Sequence, residues 1–301
     1  MSSDQSTREL AQSPSMLGLF GRAGLAMIPG ASRLPFLPGG SRDIPPLTLA
    51  LSEVSVDRER LAAYDRVCGF SLGDTLPPTY PHMLAFPLHL ALMTDGSFPF
   101  GAIGLVHIEN SITVRRPIGT GEPLSIRVWA TALEPHPRGR QFTIRTEATV
   151  GDELVWDESS TNLKRGGGSS EGQRGERSSD GREELPTTAT WRLGGDLGRR
   201  YGSVSGDLNP IHVHALSARL FGFPTAIAHG MWTKARCLAA LESRLPDRYT
   251  VEVAFKRPIL LPATVAFGEA GSVSEPDGLR FGVRDARKGT PHLQGRVTAS
   301  S

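Results

Sequence analysis

The chain repeats itself, and this limits its fold more than any other feature. Arg116-Pro117-Ile118 recurs as Arg257-Pro258-Ile259, an offset of 141. Tyr64 has a counterpart in Tyr201 at an offset of 137, and Tyr80-Pro81 one in Phe223-Pro224 at 143. Three landmarks at nearly one spacing indicate an internal duplication, so the halves are expected to share a fold and pack on each other. Within the 301 residues the seam falls at 165–185, where Gly, Ser, Arg and Glu leave almost nothing for a core. Such a composition cannot offset the entropy of ordering and reads as a flexible linker. The expected division is a tail or short packing helix over 1–40, one repeat over 41–164, the linker, and a second repeat over 186–301.

Both halves show one order of elements. In the first, Leu47, Leu49 and Leu51 alternate in an extended entry, and Asp57 is a candidate N-cap for a helix to Val67. A Gly/Pro-rich passage from Gly69 to Pro81 follows, then an apolar run from Met83 to Met93 that reads as a buried helix. Strand-like alternation comes next over 108–114, 124–130 and 142–150, with a weaker case over 153–163. The second half has a long helix from Met231 to Leu245, then alternation at Val251, Val253 and Phe255, and further strands over 265–267 and 279–283. One helix followed by alternating strands predicts an α+β fold, an antiparallel sheet wrapped around a central helix in each repeat.

Bulk properties remove several function classes. The formal charge of +2 is small and part of the excess sits in the linker, which gives no support to a nucleic-acid partner. No apolar run approaches the roughly 20 residues of a membrane span, and the first 40 residues lack the pattern of a secretory signal. Cys68 and Cys237 are far apart without metal-type spacing, and fit buried thiols in a reducing cytoplasm.

The repeats differ at one place. Tyr201 to Pro224 spans 23 positions, whereas Tyr64 to Pro81 spans 17. The extra residues hold Gly206-Asp207-Leu208-Asn209-Pro210-Ile211-His212. An Asn-Pro turn between Asp207 and His212 can fold a carboxylate and an imidazole toward one point. Ala228-His229-Gly230 then opens the long helix. Aligning Pro81 with Pro224 places Phe86-Pro87 where this half has His229-Gly230, and proline has no N–H to donate. The first half therefore lacks both the acid/base pair and the backbone donor. The plainer roles for these residues are helix capping for Asp207 and His212 and a helix-start glycine at Gly230. His214 and His229 raise a metal site with Asp207 and His212, but Asp-x4-His-x-His is not a ligand spacing in common use, and no metal is expected.

Tyr201-x4-Gly206-Asp207-x-Asn209-Pro210-Ile211-His212, followed by Ala228-His229-Gly230-Met231, resembles the signature of the MaoC-like (R)-specific enoyl-CoA hydratases. Phe255-Lys256-Arg257-Pro258 resembles the strand after that family's central helix. Tyr80-Pro81-His82 and His107-Ile108-Glu109-Asn110 are similar to the N-terminal half of two-domain 3-hydroxyacyl-thioester dehydratases. The resemblance implies a double hot-dog fold with one silent repeat. It further implies reversible hydration between trans-2-enoyl and (R)-3-hydroxyacyl thioesters of coenzyme A or acyl carrier protein, in fatty-acid metabolism. Asp207 and His212 would hold the catalytic water and Gly230 would donate to the thioester oxygen. Asn209, Lys256 and Arg257 are the expected substrate-side residues. Asn209 would stabilise the turn and orient the water-binding pair. Lys256 and Arg257, with Arg115 and Arg116 at equivalent places in the first repeat, would meet the carrier's phosphates, unless these four are solvated strand ends. No cofactor is expected beyond the carrier of the substrate, and a monomer or a homodimer fits the pseudo-dimeric chain. The rivals are a hot-dog thioesterase, which does not need the Asn-Pro-x-His element, and a non-catalytic subunit that binds acyl thioesters.

Overall fold

The computed structural model describes residues 6–26, 37–39, 41–166 and 185–300. In the first half the elements are β1 (Ser6–Glu9), α1 (Met16–Leu25), β2 (Leu47–Val54), α2 (Arg58–Cys68) and α3 (Tyr80–Met93). Strands β3 (Leu105–Val114), β4 (Leu124–Ala130), β5 (Glu134–His136), β6 (Gly139–Val150) and β7 (Glu153–Arg165) complete it. The second half runs β8 (Thr187–Leu193), α4 (Leu197–Ser205), α5 (Pro210–Val213), α6 (Ala215–Leu220) and α7 (Gly230–Ala240). It ends with β9 (Tyr249–Phe255), β10 (Ala263–Ala270), β11 (Leu279–Asp285) and β12 (Pro291–Ala299). Residues 6–26, within the stretch expected to be a tail or packing helix, supply β1, parallel to β2, and α1. Most of the expected linker, 167–184, lies outside the described residues.

One sheet joins everything in the order β1-β2-β4-β6-β7-β3-β9-β12-β11-β10-β8, with β5 on β6. The halves meet where β3 pairs antiparallel with β9, Ile112 opposite Val251. Helices α3 and α7 are the two central helices. Ten of the fourteen residues of α3 are buried, which is why its sequence is apolar on every face rather than along one stripe. The α+β architecture with a central helix per repeat is therefore as expected.

The elements form for local reasons. The Asp57 carboxylate accepts from the N–H of Glu59 at 2.9 Å and of Arg60 at 3.1 Å, a cap worth about 1 kcal/mol. Two helix limits differ from expectation. Helix α3 starts at Tyr80, not Met83, because Pro81 sits in the first turn, where its missing N–H costs nothing. Helix α7 stops at Ala240, and a 3-10 turn covers Glu242–Arg244. Leu245 is extended, as the residue before Pro246 prefers to be.

The two halves are tied by side chains as well as by the sheet. Trp232 Nε1 donates to Val67 O at 3.0 Å and Arg60 Nε to Val204 O at 2.8 Å, and the Tyr64 and Tyr201 rings lie 6.0 Å apart. A buried polar chain also crosses the seam. Lys234 of α7, fully buried, donates to Asn110 Oδ1 at 2.5 Å and Val251 O at 3.1 Å. Asn110 Nδ2 donates to Glu158 Oε1 at 2.6 Å, and His82 Nδ1 lies 2.8 Å from the same carboxylate. Burial pushes the Glu158 carboxyl up, but His82 and Asn110 outweigh it and hold it down at about 2. Among the described residues no helix is long and apolar enough to cross a membrane, and Cys68 and Cys237 are free and buried.

Candidate active site

The site grows out of the end of α4. Gly206, at φ 83°, ends that helix as Gly69, at φ 85°, ends α2. In the first half the chain goes straight on to the central helix. In the second it detours through α5 and α6, fifteen more residues between Gly206 and Ala228 than between Gly69 and Leu76. The detour lies directly on α4 because Gly198 and Gly202 have no side chain. A Cβ on Gly198 would overlap the His212 carbonyl oxygen, and one on Gly202 would stand 2.9 Å from the Asp207 oxygen. Neither glycine stood out in the sequence, where its only signal is its spacing of four from the other.

Within the detour, short hydrogen bonds set the geometry. Asp207 Oδ1 accepts from Asn209 N at 3.1 Å, and Asn209 Oδ1 caps α5 through Ile211 N at 3.3 Å. Asn209 thus shapes the turn through its own N–H and its Oδ1. His212 Nδ1 lies 2.8 Å from Ile227 O. A carbonyl can only accept, so Nδ1 carries the hydrogen and Nε2 keeps a lone pair. Burial is the main cause that lowers the His212 pKa, against Asp207 and Ile227 O, and a neutral ring suits a base. The Asp207 side chain is one-quarter exposed. A carboxylate oxygen of Asp207 and ring nitrogens of His212 and His229 lie within 4.8 Å of one another, close enough for one water to bridge acid and base.

His229 belongs to this constellation more closely than its sequence position suggested. Its ring stacks on His212 with centroids 3.7 Å apart and planes 25° apart. Its Nε2 donates to the Asp207 carbonyl at 3.0 Å, which holds the backbone of Asp207 over the start of α7. Burial and then His212 lower its pKa to about 3. Gly230 follows as the first residue of α7, where an N–H has no partner within the helix and lies at the positive end of its dipole. A Cβ there would stand 3.0 Å from the Phe255 ring. Donor sets that could hold a metal occur twice among the described residues, at Asp207/His212/His229 and at His82/His89/Glu158. In each, every imidazole already gives a nitrogen to a protein oxygen.

Equivalent hydrogen bonds correct the alignment of the repeats. Leu76 N bonds to Ile118 O at 2.8 Å as Ala228 N bonds to Ile259 O at 3.0 Å, and the Thr75–Gly119 bridge matches Ile227–Leu260. Pro77-Pro78, not Phe86-Pro87, therefore stands where the second half has His229-Gly230. Because the detour is missing, the early part of the first repeat is displaced by more residues than Tyr80-Pro81 suggested. Phe70, after Gly69, takes the place of Asp207. The basic residues also divide. Arg115 pairs with Asp157 at 2.7 Å, and Arg116 with Glu122 and Glu153, each at 2.9 Å. Lys256 and Arg257 are exposed and have no ion-pair partner among the described residues.

The buried histidines predict acid sensitivity. Burial, ahead of any neighbouring charge, lowers His89 and His229 to about 3 and His107 to about 4, from 6.5. The unfolded chain binds these protons near pH 6.5 and the folded chain only far below it. Stability is then complete above that pH and is lost as pH falls, by about 1.4 kcal/mol per pH unit for each such ring. Thermal melts between about pH 7.5 and pH 5 should show a steep fall in Tm on the acid side; a flat Tm would contradict these assignments.

A family model described as "MaoC like domain" matches residues 172–272. The 3-hydroxyacyl-thioester dehydratase X of Mycobacterium tuberculosis is 38% identical over 268 residues, covering 89% of this chain and 94% of that protein. The crystal structure of HtdX from the same organism superposes with a TM-score of 0.74 at 38% identity, over 84% of this chain and 100% of that one. A further M. tuberculosis protein, described as a double hot-dog fold, matches in fold alone at 14% identity and a TM-score of 0.53, over 82% and 92% of the two chains. The chain belongs to the MaoC-like dehydratase family, in its double hot-dog form.

Proposed function

We propose that the protein interconverts trans-2-enoyl and (R)-3-hydroxyacyl thioesters by adding or removing water, at one active site per chain. The observation that carries this is the asymmetry of the repeats. In the second half Asp207 and His212 come together with His229, next to Gly230 at the start of α7. In the first, Phe70 and Pro78 take the places of Asp207 and Gly230. Residues 186–301 are then the catalytic repeat, 41–164 the supporting one and 165–185 the connection.

In hydration, a water held between Asp207 and His212 loses a proton to the pair as its oxygen bonds to C3. The π electrons move through C2 onto the thioester oxygen, where the Gly230 N–H and the positive end of α7 stabilise the enolate. The same pair returns a proton to C2, so both new bonds form on one face of the alkene, and dehydration retraces these steps. No group beyond these and the thioester enters a step. Lys256 and Arg257 meet the phosphates of coenzyme A or of a phosphopantetheine arm. The cytoplasm is the proposed location. A single chain already supplies both halves of the hot-dog pair, so a monomer can carry the site.

The test is incubation of the purified chain with crotonyl-CoA and with a longer trans-2-enoyl-CoA, following loss of the enoyl-thioester absorbance. Hydration to the (R)-3-hydroxyacyl product is expected. Release of free thiol without hydration would instead make it a thioesterase, and no turnover of either kind a binding subunit.

A further inference from the structure

Strand β3 begins with an irregularity. His107 pairs with Asn162 and Glu109 with Thr161, which leaves Ile108 as an extra residue. Side chains of a strand alternate between faces, and one inserted residue reverses the alternation before it. Beyond the bulge Asn110 and Ile112 face the core. The bulge turns His107 to that same face. Its ring lies 4.8 Å, centroid to centroid, from Phe255, whose edge covers Gly230. Phe255 thus lies against both the residue of the candidate oxyanion donor and one imidazole of the silent repeat.

This imidazole is only half satisfied, with one nitrogen bonded to the Glu109 backbone. Lys234, Asn110, Glu158, His82 and His89 all have hydrogen-bond partners. His107 Nε2 is buried and has none among the described residues. A buried polar atom left unpaired calls for an explanation, and sites next to a reacting centre are where such atoms collect. Burial and then His82 lower the ring's pKa to about 4. It is neutral near pH 7, and because the other ring nitrogen gives its hydrogen to the Glu109 backbone, Nε2 offers a lone pair and no charge. With the Glu158 carboxylate also close enough to act on it, an anionic group is disfavoured there.

We propose that His107 is a specificity-determining residue whose Nε2 lone pair recognises a hydroxyl on the acyl chain a few carbons beyond the reacting double bond. This rests on the hydration reading above. The pantetheine arm is the wrong partner, because it must leave toward solvent and the exposed Lys256 and Arg257, whereas His107 lies inward with His82, Glu158 and Lys234. A site built to hydrogen-bond an oxygen function discriminates strongly against the analogue that lacks it.

The experiment compares kcat/KM for trans-2-decenoyl-CoA with congeners carrying one hydroxyl at C6, C7 or C8. Wild type is expected to prefer at least one congener by about tenfold or more. His107→Phe, which fills the space without a polar atom, should bring that ratio to one or below, and His107→Gln should keep part of it. Thermal melts of both variants report on folding, and the wild-type series is a test by itself. Ratios near one throughout the wild-type series, or a ratio unchanged in His107→Phe, would overturn the proposal. An equal loss for every CoA thioester in His107→Phe would put the residue on the pantetheine arm and overturn it too. If wild type hydrates neither the plain nor the hydroxylated substrates, the hydration reading fails first. If it hydrates all of them equally, the subsite alone falls.

Discussion

Asp207→Asn and His212→Gln are each expected to lower kcat for enoyl-thioester hydration by about 10²–10⁴, with KM little changed. Both groups act on the water as bonds form, so their loss is felt in the transition state more than in binding. Asn can still accept from Asn209 N as Asp207 Oδ1 does, so the turn should survive and the melting temperature stay near that of wild type. The two groups work on one water, and the double variant should therefore be hardly worse than the weaker single one, well short of the product of the two effects. Steady-state hydration rates with thermal melts as controls check this. Rates within a few-fold of wild type in either variant would remove the acid/base assignment, whatever the substrate.

The second large effect concerns a single hydrogen. Gly230→Pro deletes the N–H at the start of α7 and reproduces what the silent repeat carries at Pro78. The position tolerates proline unusually well. It is the first residue of the helix, and His229 before it already sits at φ −67° and ψ 138°, the extended backbone that proline requires of its predecessor. Any side chain at Gly230 also presses on Phe255, so Gly230→Ala is the necessary control. Alanine adds the contact but keeps the donor. Proline should be slower than alanine by about 10²–10³ in kcat, the usual cost of losing one oxyanion donor. Equal rates for the two variants would assign Gly230 to packing alone.

Much of the fold was legible because its signals are local. The Asp57 cap, the apolar run that became α3 and the alternation of β4 and β6 each depend on neighbours a few residues away, and the structure places them close to where they were read. The duplication was also visible, but its alignment was not. Arg116-Pro117-Ile118 and Arg257-Pro258-Ile259 are equivalent in space, with the Ile118 and Ile259 carbonyls accepting equivalent hydrogen bonds. Tyr80-Pro81 and Phe223-Pro224 are not, because the fifteen-residue detour lies between the landmarks and short motifs cannot say where a gap falls. A proline still stands opposite the candidate oxyanion glycine, but it is Pro78 and not Pro87. Similar dipeptides gave the same weight to Arg115 and Arg116 as to Lys256 and Arg257. Only the carboxylates of Asp157, Glu122 and Glu153, brought in from other strands, separate the two pairs.

By itself the sequence determined the α+β repeat, the turn that joins Asp207 to His212 and the absence of that turn from the first half, since these are properties of contiguous residues. The tertiary structure decided the rest. It stacked His229 on His212, gave Gly198 and Gly202 their reason to be glycine, buried Lys234 against Asn110 and turned His107 toward Phe255. Each of these depends on which surfaces meet after the chain has folded. Such contacts join residues far apart in the chain, and no local periodicity encodes them.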